Sequence, residues 1–180
     1  MKRFLVGMMS FLLFAACNNP KPDEAAETTP ATAETKAQPA EFADPKYTEI
    51  GKSGLASMTS GDIDAWSSNW ADNIVWQWNN GDSIVGKAAV VQYWKDRRTT
   101  TIDSISFSNE IWLPVKVNQP QATEAAGVWL LSWYSTNAKY KTGKRMIQSI
   151  HTVQHFDAND KIDRVVQYLD RVPINAAMAK

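Results

Sequence analysis

The sequence predicts an α+β fold: three N-terminal helices packed on a strongly curved, mainly antiparallel sheet, together a cone with one open end. Two observations predict it. Apolar residues recur at helical spacing from Tyr47 to Trp94, then at strand spacing from Ile105 onward. All eight Trp residues fall between Trp66 and Trp133, which marks a packed interior or a cavity wall. Helices that precede a run of long strands segregate to one face of an antiparallel sheet.

The chain opens with MKRFLVGMMSFLLFAAC. Lys2 and Arg3 precede an apolar stretch from Phe4 to Phe14, and the small residues Ala15 and Ala16 follow. That order describes a secretory signal, and the stretch is too short to cross a membrane as a helix. Cys17 is the only cysteine of the chain. FAAC resembles a bacterial lipoprotein lipobox, with Phe14 where Leu is commoner. The resemblance implies cleavage before Cys17 and acylation of its thiol, which gives more than the two signals that stable membrane anchoring needs. Asn18 stands where an Asp would mark inner-membrane retention, so the expected address is the outer membrane of the cell envelope. An acylated Cys17 leaves the mature chain with no thiol for a disulfide or for catalysis.

Residues 18–44 are mostly Pro, Ala, Thr and Glu with one aromatic residue, a composition that cannot offset the entropy of ordering. They read as a tether with a coil dimension of roughly 30 Å. The folded domain is expected over residues 45–180. Asp44-Pro45 predicts a helix start, and Tyr47, Ile50, Leu55 and Met58 supply its stripe. Gly51 and Gly54 within that helix predict close approach to another element. SGD at residues 60–62 predicts a second helix, with Ile63, Trp66 and Trp70 inward. NIVWQW reads as a strand before an Asn80-Gly81 turn, and residues 87–97 read as a third helix with Val90, Val91 and Trp94 inward. Ile105 to Val117 alternate as one long strand. GVWLLSWYS, RMIQSIHTVQHF and KIDRVVQYLD follow as three more, the last after a DAND turn. A sheet wrapped around helices leaves an end where apolar pockets form.

This order, with SGDIDAWSSNWADNIVWQW, GKAAVVQYW, KTGKR and HFDANDKIDRVVQYLD, resembles the nuclear-transport-factor/ketosteroid-isomerase superfamily over about residues 45–172. Within it the chain is most similar to SnoaL-like proteins. The superfamily holds isomerases, cyclases, hydrolases and dehydratases beside non-catalytic modules, so fold does not assign function. The resemblance implies that the isomerases' tyrosine position falls on Gly54, their base on Trp78 and their oxyanion acid on Ser149. No Tyr lies within two residues of Gly54, and no carboxylate within two of Trp78 or Ser149. The cyclases' inward acid on the last strand falls on Gln167. Isomerase chemistry of this kind is therefore not expected.

Both histidines lie in HTVQHFDANDKIDRVVQYLD, residues 151–170. His151 and His155 are four apart on a strand, so about 13 Å separates them and they cannot share a metal. No metal and no cofactor are expected. The resemblance sets Ile147, Ser149, His151, Val165, Gln167 and Leu169 facing into the cone, with Tyr168 and Asp170 of the other parity. His151 would then be the inward titratable group, able to act as acid or base near neutral pH, with Asp170 joining it only if it turns inward. Trp78, Ser149, His151, Gln167 and Leu169 are the expected ligand-binding residues. Trp112 and Tyr140 are candidates for an exposed partner surface.

Charge is balanced at 19 basic and 19 acidic residues with no long basic run, which excludes a nucleic-acid footprint. The expected function is a lipid-anchored envelope protein that binds a small apolar or aromatic molecule without catalysis. Two alternatives stand beside it. One is a protein-interaction module with a filled cone, dimerising through the outer sheet face. The other is a SnoaL-like isomerase, cyclase or hydrolase using His151 and Asp170.

Overall fold

A computed structural model describes residues 38–122 and 125–179. The signal segment, Cys17 and the tether up to residue 37 lie outside the described residues. A short strand β1 (Ala40–Phe42) precedes helix α1 (Lys46–Ser60). The Asp44 carboxylate accepts from the Lys46 N–H at 2.8 Å and starts the helix. Gly61, at φ 84°, ends it with its N–H on the Met58 carbonyl. Gly51 faces the sheet: a Cβ there would lie 2.8 Å from Leu130 Cδ2 and closer still to the Trp112 ring. The close approach expected at this glycine is thus present.

Helix α2 (Ile63–Trp66) is a single turn capped by Asp62, whose carboxylate accepts from Ala65 N at 2.9 Å. A 3-10 turn over Ser67–Asn69 follows. The second helix is shorter than expected, because Trp70 already opens strand β2 (Trp70–Trp78). Strand β3 (Ser83–Val85), helix α3 (Lys87–Asp96) and a π turn over Arg97–Thr101 come next. Then run the long strands β4 (Ile102–Val117), β5 (Gly127–Tyr140), β6 (Arg145–Phe156) and β7 (Ile162–Tyr168). Helix α4 (Arg171–Met178) closes the chain.

The seven strands form one sheet in the order β1-β4-β5-β6-β7-β2-β3. Every pairing is antiparallel except β2 with β7. The α+β class is as the sequence predicts. Three departures stand out. Residues 40–42 pair with Val115–Val117 instead of belonging to the tether. Strand β5 continues through Thr136–Tyr140, past Ser135 where the expected strand GVWLLSWYS ends. Helix α4 was not expected.

Bulges set which residues face inward. Asn109, at φ 54°, sits where β4 spends three residues against two of β5. An extra residue exchanges the faces of a strand. Phe107 therefore packs on the core while Ile111 is 60% exposed. At the centre Trp66, Trp70, Trp76 and Trp94 pack ring on ring, with centroids 5.0 to 5.5 Å apart in mostly edge-to-face pairs. That geometry adds about 0.5–1.5 kcal/mol per pair beyond area burial. Among the described residues no helix is long and apolar enough to cross a membrane.

Candidate functional site

A cavity of about 270 Å³ lies between the helices and the concave face of the sheet. Its walls come from nearly every element. Helix α1 supplies Leu55 and Met58, α2 Trp66, α3 Tyr93 and Trp94, and β4 Phe107. Strand β2 contributes Trp78 from its last position, β7 contributes Gln167, and Leu169 follows just after that strand. Helix α4 lies along one side with Arg171, Ile174, Asn175 and Met178. Inward alternation on β5 brings Tyr134, Thr136, Ala138 and Tyr140 to the same wall. The composition fits a ligand pocket: mostly aromatic and aliphatic surface with a few polar groups.

Those polar groups have particular settings. The Tyr134 hydroxyl lies 2.7 Å from Thr152 Oγ1, and burial pushes its phenol above the ordinary range. Burial also raises the Tyr140 phenol, and the charge of Arg97 beside it works in the opposite direction. Both phenols therefore stay protonated at neutral pH. Trp94 Nε1, Thr136 Oγ1 and Gln167 Oε1 are buried with no partner. Among the described residues, no three His, Cys, Asp or Glu side chains come together as metal ligands.

No family model and no curated protein matches this sequence. Solved structures do match it. An NTF2-like protein of unknown function from Burkholderia pseudomallei superposes with a TM-score of 0.57 at 11% identity, over 74% of this chain and 97% of its own. A ketosteroid-isomerase-like protein from Catenulispora acidiphila, solved with trimethylamine, gives 0.54 at 10% identity over 72% and 92%. A candidate SnoaL-like polyketide cyclase from Shewanella denitrificans gives 0.52 at 13% identity over 74% and 97%. The chain has the nuclear-transport-factor-like fold.

Within the nuclear-transport-factor-like fold, the residues nominated from sequence divide between two faces. Trp78, Gln167 and Leu169 line the cavity, and Val165 is fully buried beside them. Ile147, Ser149 and His151 do not. The inward orientation expected for them is corrected: over residues 145–152 of β6 the buried side chains are Met146, Ile150 and Thr152, and Ile147 is 68% exposed. The register gives the reason. His151 pairs directly with Tyr168 and with Trp133, and residues opposite one another share a face. Since Tyr168 is exposed, so is that face.

His151 is sandwiched there, 4.5 Å from the Trp133 ring and 5.4 Å from the Tyr168 ring, with Nδ1 2.9 Å from the Ser132 carbonyl oxygen. Asp170 does not turn inward to meet it. Its carboxylate caps α4 by accepting from Val172 N at 2.8 Å. His155 is separately engaged, with Nδ1 2.6 Å from Asp163 Oδ1 and Nε2 3.1 Å from the Ala126 oxygen. The partner-surface candidates change as well: Tyr140 is 2% exposed in the cavity wall, and Trp112 packs against Tyr134. Sequence reasoning missed Tyr93, Thr136, Arg97 and the whole of α4. The signal for α4 was present as Asp170 followed by Pro173 in the first turn.

Proposed function

We propose that this domain binds a small, largely apolar or aromatic molecule in its cavity, without turning it over, as part of a lipid-anchored protein of the cell envelope. The observation that carries the reading is the cavity itself, about 270 Å³ of space walled by Trp66, Trp78, Trp94 and Phe107. The absence of a carboxylate, imidazole or thiol from its described lining supports binding over catalysis. The isomerases' base position, which falls on Trp78, lies in the wall and offers no proton acceptor. Support for the anchor comes from the signal-like start and Cys17 in the sequence.

Native mass spectrometry of the full chain, with titration of the neutral fluorophore N-phenylnaphthylamine, tests the binding reading. We expect a retained small mass or saturable uptake. Ala138→Phe, which puts a ring into the cavity from a position 1% exposed, should weaken uptake about tenfold or more while the chain stays folded. A chain that takes up nothing, or a folded Ala138→Phe variant that binds equally well, overturns it.

We also propose self-association through the outer sheet face. Ile111, Trp133 and Tyr168 are exposed in one cross-strand row there, with Ile147 close by on β6.

A further inference from the structure

The cavity carries a charge pattern that an apolar ligand leaves unanswered. Its described lining holds two arginines, Arg97 and Arg171, and no acid. Arg171 is compensated. Its Nη1 lies 2.9 Å from Asp82 Oδ2, its Nη2 donates to Asn80 Oδ1 at 3.2 Å, and the guanidinium sits 5.5 Å from the Trp78 ring centroid. Arg97 has no such partner. Its guanidinium lies 5.7 Å from the Tyr93 ring centroid, 3.9 Å from Met178 Sδ through Nη2, and beside the Tyr140 hydroxyl. An aromatic face, a thioether and a neutral phenol hold the group in place and leave its charge unmatched. No carboxylate among the described residues pairs with it.

The surroundings repeat the pattern. A neighbouring pocket shares Tyr140 and Met178 with the cavity and is otherwise lined by Thr100, Thr101, Lys141, Thr142, Lys144 and Ala179. It too contains no acid. Lys144 Nζ donates to the Ala179 carbonyl at 2.9 Å, and the carboxylate of nearby Asp103 is taken by Lys139 at 2.8 Å. Cations grouped at one end of an apolar cavity raise the local concentration of anions and repel cationic ligands. A guanidinium presents a planar fork of donors that matches a carboxylate in two parallel hydrogen bonds.

We propose that the ligand is an amphiphilic carboxylate. Its apolar or aromatic body lies against Trp66, Trp78 and Phe107, and Arg97 holds its carboxylate at the end of the cavity shared with the lysine pocket. This inference rests on the binding reading above and adds the ligand's charge and the residue that reads it.

Calorimetric titration of the full chain with decanoate and with decanol, at neutral pH and below micelle-forming concentrations, separates the two claims. Decanoate is expected to bind about ten- to a hundredfold more tightly than decanol, the worth of a charge-assisted hydrogen-bonded pair. Arg97→Gln should reduce that ratio to about one while leaving decanol affinity intact. Arg97→Lys should retain part of it, and Lys52→Gln, on the surface beside Glu49, all of it. Equal binding of the two probes by the unaltered chain, or a preference that survives Arg97→Gln, overturns the carboxylate and leaves the apolar cavity standing. Binding of neither probe removes both.

Discussion

Asp160 ties the start of the domain to the turn between β6 and β7. Its carboxylate takes Lys46 Nζ at 2.7 Å and the Tyr47 hydroxyl at 2.5 Å. The hydrogen bond from Lys46, then that from Tyr47, hold its carboxyl below the ordinary value of 3.8. A carboxyl lowered in the folded state contributes stability above its unfolded pKa, and that contribution is lost as pH falls through the folded value. Asp160→Asn is therefore expected to lower the melting temperature at pH 7 and to cost progressively less on acidification, the two curves meeting below the folded pKa. Thermal melts of both chains across that range check it, and a constant gap would show that charge plays no part. At this scale the family resemblance made the sequence legible at Trp78 and Gln167, which line the cavity as it implies. It was not legible for Ser149 and His151. Their orientation depends on which β7 residue stands opposite, and the one-residue bulge between His155 and Phe156 is set by tertiary pairing.

Helix α4 shows what an element adds to the site. It seats on β6, buries Ala177, and is pinned by Thr142 Oγ1 donating to the Ala177 carbonyl at 2.6 Å. Its residues Arg171, Ile174 and Met178 form one side of the cavity, and Met178 also contacts Arg97. Ending the chain after Asp170 should leave a cooperative fold with a lower urea midpoint, because the sheet and α1–α3 keep their contacts. Affinity for N-phenylnaphthylamine should fall about tenfold. Unchanged affinity would mean that the helix is not part of the binding wall. Most elements could be read from the change of hydrophobic period, from Asp44-Pro45 and from the Asn80-Gly81 turn. Strand β1 escaped because three exposed residues have no period to read, and α2 was overextended because its Trp stripe continues unbroken into β2.

For the whole molecule, a change from helical to alternating apolar spacing was enough to indicate the α+β cone. Whether the cone holds space was not readable, since that depends on how Trp66, Trp78 and Phe107 share volume, and volume has no sequence signature. The outer face makes a separate prediction. If the row of Ile111, Trp133 and Tyr168 is a self-association surface, sedimentation of the full chain should show a dimer at tens of micromolar, and Trp133→Glu should return it to monomer. A monomer at every concentration would count against it. The four packed indoles of Trp66, Trp70, Trp76 and Trp94 have an optical consequence. Rings fixed edge to face at about 5 Å couple their electronic transitions, and two of the four, Trp66 and Trp94, also border the cavity. A guest bound in the cavity would lie against this coupled group, so uptake would change the domain's ultraviolet spectrum without any label.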